Sequence, residues 1–283
     1  MAAAKAPSAQ HEPKQINGEN CGGSSAASPS RGNWPLNSSR FWYNKTTSLP
    51  YRLRATVGRM KPFTGSFSKL KAFESCPYKY EQVDVLKKYK ESSEQLVWGN
   101  KCHTALEHAL KDSTPLPASM QPWQKWIAMI NRLPGTLFTE QKYALARDLT
   151  PSEYFGPTCW WRARLDVLKV DHDNKRAALI DWKTGSQKHD SVQLLLNAVC
   201  AFAHHQDIEK IRATFIWLPD DCTTSDTFTR ESVATALRAG VLDRIGSLES
   251  AFATQHYPKT PSGLCIKWCP CTDCEFHGKG TPR

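Results

Sequence analysis

The chain has 283 residues, with 37 lysines and arginines against 27 aspartates and glutamates, a formal net charge of +10. Its length allows a substantial core without covalent staples, and its longest apolar runs, Val192 to Phe202 and Ala213 to Leu218, fall well short of the ~20 residues that span a bilayer. With no basic-then-apolar order at its start, a secretory signal is not expected, so the ten cysteines are read as ligands or buried thiols rather than a disulfide framework.

Residues 1–59 are rich in Ser, Ala, Pro, Gly and Asn and show no sustained period, a composition that cannot offset its own ordering entropy. This segment is expected to be a disordered basic tail, or an untranslated leader if Met60 is the initiator. It holds Lys5, Lys14, Arg31, Arg40, Lys45, Arg52, Arg54 and Arg59 against Glu12 and Glu19. Most of the excess charge therefore lies outside the folded part, which is placed at residues 60–283. A bacterial or phage-infected host cytoplasm is the expected location. Scarce acids with many Ser and Arg residues also admit a mitochondrial transit peptide, against which the prolines count.

Patterned sequence begins at Ser66. A helix opens around Ser68 with Leu70 and Phe73 as apolar positions and ends or kinks at Pro77. A second helix is expected from Trp98 to Lys111, carrying a stripe of Cys102, Ala105, Leu106 and Ala109, and a third from Trp123 to Leu133. Strands follow at Leu137 to Leu149, Cys159 to Val170 and Ala177 to Lys183. Asp171-His172-Asp173-Asn174 writes a hairpin turn between the last two. A helix from Ser191 to His205, a strand from Ile211 to Leu218 and a helix from Glu231 to Thr254 complete an α/β domain around a mixed sheet.

Chemistry concentrates in two strands. Leu165-Asp166-Val167-Leu168 and Leu179-Ile180-Asp181-Trp182-Lys183 each set an acid within apolar sequence. A carboxylate there costs several kcal/mol unless it is paired, hydrogen-bonded or ligating a metal. Alternation puts Asp181 and Lys183 on one face. Asp166, Asp181 and the main-chain carbonyl of Trp182 offer the oxygen donors that magnesium or manganese prefers, with the Lys183 ammonium beside the reacting phosphate. An ordinary Asp181–Lys183 ion pair is the bland alternative.

These residues, taken with their neighbours in order, resemble the PD-(D/E)XK nuclease superfamily and its RecB-like exonuclease branch, of CRISPR-associated and phage type. The resemblance covers most of 66–278. It rests on Ser66 to Tyr80 with its Cys76-Pro77 step, on Gly99-Asn100-Lys101-Cys102-His103, on Asp166, on Asp181-Trp182-Lys183, and on Gln193-Leu194-Leu195-Leu196-Asn197-Ala198. It implies a restriction-endonuclease-like core, DNA as substrate, His103 as a metal ligand, and Gln193 orienting the site. Glu140 in the first core strand is a secondary acidic candidate. Asn197 departs from the branch's usual tyrosine, so no substrate-positioning role is assigned to it.

The run Cys265-Ile266-Lys267-Trp268-Cys269-Pro270-Cys271-Thr272-Asp273-Cys274 has ligand-like spacing that leaves zinc and iron-sulfur both open. The resemblance favours a 4Fe-4S staple held by Cys76, Cys265, Cys269 and Cys274, with Cys271 as a possible substitute ligand. Cys21, Cys102, Cys159, Cys200 and Cys222 lack such spacing and read as buried or incidental thiols.

The reading is a metal-dependent DNA exonuclease acting in recombination, repair or phage genome processing. Lys69, Lys71, Lys79, Arg162 and Arg164 are expected to grip the backbone, and Trp160 or Trp161 to stack on bases. Alternatives are an endonuclease of the same superfamily, a non-catalytic DNA-binding scaffold, and a cysteine-dependent enzyme. Intact Asp166, Asp181 and Lys183 argue against the scaffold; no histidine-carboxylate pattern around the cysteines supports the last.

Overall fold

A computed structural model describes residues 62–187 and 190–279. The tail or leader at 1–59 and the Met60 start lie outside the described residues, as does Cys21.

Ser66 caps the first helix α1 (Phe67–Ser75), its hydroxyl accepting from the Lys69 amide at 3.4 Å. Cys76 ends that helix in extended conformation, and Pro77 opens the short α2 (Pro77–Tyr80) at the position where its missing N–H costs nothing. The next helix α3 (Glu94–Lys111) starts four residues before the expected Trp98, because Ser93 accepts from the Leu96 amide at 3.1 Å. A 3-10 turn at Ala118–Trp123 leads into α4 (Gln124–Arg132).

Seven strands form one mixed sheet in the order β3-β2-β4-β5-β6-β7, with the two-residue β1 (Gly65–Ser66) alongside β4. Strands β2 (Thr136–Leu145), β4 (Trp161–Asp171) and β5 (Arg176–Lys183) are antiparallel neighbours, while β3 (Pro151–Ser152) caps the β2 edge. The expected hairpin is present: Asp171 pairs with Arg176, and the Asn174 amide donates to Asp171 Oδ1 at 3.2 Å. Helix α5 (Val192–His204) crosses over from β5 to the parallel β6 (Lys210–Trp217). Nine consecutive residues of it, Leu194 to Phe202, are buried, as a crossover helix between sheet and outer helices requires.

Two expectations are corrected. Polar β7 (Cys222–Thr229) pairs antiparallel with β6 although it shows no apolar alternation. Its threonines favour extended backbone, and one side of an edge strand faces solvent. The single helix expected from Glu231 to Thr254 is broken: α6 (Arg230–Ala236) and α7 (Leu242–Thr254) meet at Gly240, whose φ of 126° no helix tolerates. A last turn α8 (Leu264–Lys267) precedes the cysteine loop.

Helices cover both faces. The larger core packs α1, α5 and α7 on one side of the sheet, around Leu70, Leu165, Leu179, Leu194, Phe202 and Ile245. A second core packs α3 and α4 on the other, joining Cys102, Leu106, Trp126 and Ile130 to Val167, Ile180 and Trp182.

Candidate active site

Three acids lie in a row across three neighbouring strands. Pairing of Thr139 with Val167 and Gln141 with Leu165 sets Glu140 opposite Asp166, and pairing of Val167 with Ile180 sets Asp166 opposite Asp181. Regular pairing fails at both steps. Glu140 has a left-handed φ of 49°, a conformation costing a non-glycine residue about 1 kcal/mol or more. The core-facing parity shifts there as well: Phe138 but then Tyr143 and Leu145 face the larger core in β2, and Leu168 and Val170 but then Leu165 and Ala163 in β4. Beyond Val167 and Ile180 strands β4 and β5 part, and Asp166 fills the gap by accepting the Trp182 amide at Oδ2, 2.9 Å away.

On the α3 side, His103 brings Nδ1 to within 3.2 Å of Asp166 Oδ1. Gly99, one turn earlier, faces Thr184, where a Cβ would lie 3.2 Å from Oγ1, so α3 sits close over the end of β5. His103, Glu140 and Asp166 each offer a ligand atom, all within 4.8 Å of one another. On the α5 side a second set closes: Lys183 Nζ lies 2.5 Å from Asp181 Oδ2 and donates to Gln193 Oε1 at 2.7 Å, and Gln193 Nε2 donates to Asp181 Oδ1 at 2.6 Å. The Lys183 ammonium also sits 4.7 Å from the centre of the Phe215 ring.

Burial and crowded negative charge dominate the electrostatics. Asp181 is 3% exposed and Asp166 8%. Burial and the Asp166 charge push the Asp181 carboxyl up to about 6 against the pull of Lys183, and burial and Asp166 raise Glu140 in the same way. Burial opposes the charged form of His103, but Asp166, Asp181 and Glu140 outweigh it and raise its pKa. Asp181 Oδ2 is buried and has the Lys183 ammonium as its partner. A cluster of acids destabilised by one another's charge, with one imidazole, matches the donor set of a hard divalent cation.

Comparison with known families matches residues 64–278 to the PD-(D/E)XK nuclease superfamily. The chain belongs to that superfamily. It is thus a nuclease by family, and its mixed sheet flanked by helices is that family's core. Among solved structures it is similar to SSO0001, at 16% identity over 78% of this chain and 89% of that one, with a TM-score of 0.41. It is also similar to the protein named "Putative exonuclease" from Eubacterium rectale, at 13% identity over 66% of this chain and 81% of that one, again with a TM-score of 0.41. No curated protein matches. No described helix is long and apolar enough to cross a membrane.

In this PD-(D/E)XK chain the expected DNA-gripping residues divide. Lys71 is held by Asp190 at 2.9 Å and Glu74 at 3.4 Å, Lys79 pairs with Glu91, and Lys69 donates to the Thr64 carbonyl at 2.7 Å. Trp161 is 1% exposed and presents no face for stacking, while Trp160 is half-buried and packs against the larger core. Arg162 and Arg164 do stand on an open part of the sheet, with Lys142, which sequence alternation alone did not single out. Beside Lys183 and Gln193 opens a cleft of about 500 Å³ lined also by Phe67, Lys71, Phe215 and Trp217. Asn197 is buried with its Nδ2 unpaired among the described residues.

The cysteines expected to form the staple meet in a cavity that none of the site carboxylates lines. Cys76, Cys265, Cys269 and Cys274 line one cavity between the end of α1 and the C-terminal loop. Two of their sulfurs accept backbone amides, Cys76 Sγ from Thr260 at 3.5 Å and Cys265 Sγ from Ser262 at 3.4 Å. Cys271 is outside that lining and fully buried, and burial with neighbouring Cys269 pushes its thiol up to about 12. Cys102, Cys159 and Cys200 are buried free thiols.

Proposed function

We propose that the chain is a divalent-metal-dependent DNA exonuclease of the RecB-like branch. The observation that carries this is the convergence of His103, Glu140 and Asp166 ligand atoms within 4.8 Å beside the Asp181, Lys183 and Gln193 set. His103, Glu140, Asp166 and Asp181 would hold magnesium or manganese, with the Trp182 carbonyl as a further oxygen donor. Such an ion polarises a phosphodiester and makes bound water more acidic. Lys183 places a cation where charge builds on the phosphate in the transition state. Gln193 binds Lys183 and Asp181 at once, so it fixes the distance between ammonium and carboxylate. Resemblance to the RecB-like branch supports action at DNA ends, in recombination, repair or phage genome processing. An inert DNA-binding scaffold would have no use for a buried acid, lysine and glutamine held in this mutual geometry.

The test is cleavage of end-labelled linear and covalently closed circular DNA, with and without magnesium or manganese, by the wild type and by Asp181→Ala and Lys183→Ala. Expected are metal-dependent loss of linear DNA only, and about 10²-fold or greater loss of rate in each variant. Cleavage of the circle would make the chain an endonuclease of the same superfamily. Hydrolysis that survives in chelator or in both variants would overturn the mechanism.

The four-cysteine cavity supports a 4Fe-4S cluster as a structural staple. Amides donating to Cys76 and Cys265 suit ligating thiolates. Anaerobic purification should give stoichiometric iron and acid-labile sulfide; stoichiometric zinc without sulfide would reject the cluster.

A further inference from the structure

Strands β2 and β4 hold cations where a sheet has reason to avoid them. Lys142 pairs directly with Arg164, and Arg162 stands one alternation further along β4. Like charges directly opposite on one sheet face repel. Helices α3 and α4 cover that face only as far as Leu137 and Val167, leaving Lys142 and Arg164 exposed and Arg162 half-buried.

The cations are contiguous with the acids at one end. Arg164 Nε lies 2.6 Å from Glu140 Oε2, and Glu140 belongs to the group converging on Asp166. At the other end they meet two aromatic side chains from the loop after β3. Lys142 Nζ is 5.9 Å and the Arg162 guanidinium 5.2 Å from the Tyr154 ring centre, so both project to the same side of the sheet. Arg162 also lies 5.0 Å from the Phe155 ring centre, and Phe155 is held edge-on against Tyr154 at 5.0 Å. Phe155 is nonetheless 77% exposed, the most exposed large apolar side chain among the described residues. From Asp166 to Arg162 is four residues of strand, about 13 Å at ~3.3 Å per residue.

We infer that this stripe, Arg164, Lys142 and Arg162 ending on Phe155, is a track for single-stranded DNA leading from the acidic centre, with Phe155 stacking on an unpaired base. The inference rests on the nuclease reading and deepens it by naming the substrate form. Arg164 is already paired with Glu140, so the phosphates are drawn chiefly to Lys142 and Arg162. A base paired and stacked in a duplex has no face free for Phe155, whereas every unpaired base offers one. Tyr154 and Arg162 hold the Phe155 ring in place before the strand arrives.

Binding is measured in chelator, where the proposed hydrolysis stops, by fluorescence anisotropy with the full chain and three labelled probes: an oligothymidine strand, the same strand with abasic sites, and a blunt duplex. Expected is preference for the oligothymidine strand. Phe155→Ala should weaken it roughly 5- to 100-fold without changing affinity for the abasic strand or the duplex, and Phe155→Trp should restore it. Lys142→Gln should lower the slope of log affinity against log salt by about 0.7. Unchanged thermal unfolding of these surface variants separates a lost contact from a lost fold. Unaltered strand affinity in Phe155→Ala, or a wild type that favours the duplex, overturns the track. A wild type that cleaves DNA while Phe155→Ala binds normally defeats this inference and leaves the nuclease reading intact. Tight strand binding sensitive to Phe155, with no cleavage by the wild type in magnesium or manganese, keeps the track and removes the nuclease reading.

Discussion

Gln193 bridges Lys183 and Asp181, so it is a positioning residue whose loss should loosen the centre without emptying it. Gln193→Ala should cut the cleavage rate by about 10- to 100-fold and leave DNA affinity in chelator unchanged; a wild-type rate would show that the bridge is incidental. Glu140→Gln removes one charge from the converging group and should raise the metal concentration needed for half-maximal rate by a similar factor, read from a manganese titration. Asp181 and Lys183 could be paired from sequence because strand alternation puts residues two apart on one face, and here it does. Glu140 resisted the same logic. Its left-handed φ and the shift of core parity in both paired strands are consequences of tertiary pairing, and no local pattern of apolar residues encodes them. Phe155 is not legible in the sequence because an aromatic in a short loop carries no period, and its meaning comes from Arg162 on β4 and from the neighbouring Tyr154.

The elements that set the acids in line depend on two local devices. Gly135, in the turn from α4 into β2, has a φ of 96°, and a Cβ there would meet the Val170 carbonyl oxygen at 2.2 Å. Gly135→Ala should destabilise the fold by about 2 kcal/mol or more, seen as a lower urea midpoint, and shift β2 with its Glu140. The second device closes α5. His205, its C-terminal cap, lies 2.5 Å from the Tyr143 hydroxyl and near His172, His204 and Asp207. Burial, followed by His172, lowers its pKa below the ordinary 6.5. The unfolded chain then takes up a proton that the folded chain resists, so this contribution is complete above pH 6.5 and is lost as pH falls from there through the lower folded value. Thermal melts between about pH 7 and pH 5 should show that loss, and His205→Gln should flatten part of it. The long helices and the β4–β5 hairpin were readable because caps, periodicity and the Asp171 turn are local signals. Strand β7 was not, since its Thr and Ser residues match a loop in composition and become a strand only by pairing with β6.

Across the molecule, the chain's two described ends are tied to each other. Tyr78 donates its amide to the Pro258 carbonyl at 3.2 Å, Lys88 pairs with Asp273 at 2.5 Å, and the four cysteines meet between them. Because α1 packs both on the sheet beside Lys183 and on α7, a cluster there would brace the wall of the active-site cleft. Iron removal, or Cys76→Ser, should lower the melting temperature by on the order of 10 °C while leaving the carboxylates in place; an unchanged melt would make the cysteines dispensable to the fold. Cysteine spacing pointed to a ligand set, but which four of the five line one cavity was implied by chain resemblance and not by spacing. On the proposed function, acids from three strands and Lys183 form one metal-dependent hydrolytic centre. Its most direct test is single-turnover cleavage of end-labelled linear DNA across a manganese titration, comparing wild type with Asp166→Asn. Expected are a saturable dependence on manganese in the wild type and a rate lower by about 10³-fold in the variant at every concentration. A wild-type rate indifferent to manganese and to chelator, or an Asp166→Asn variant that cleaves as fast as wild type, would contradict it.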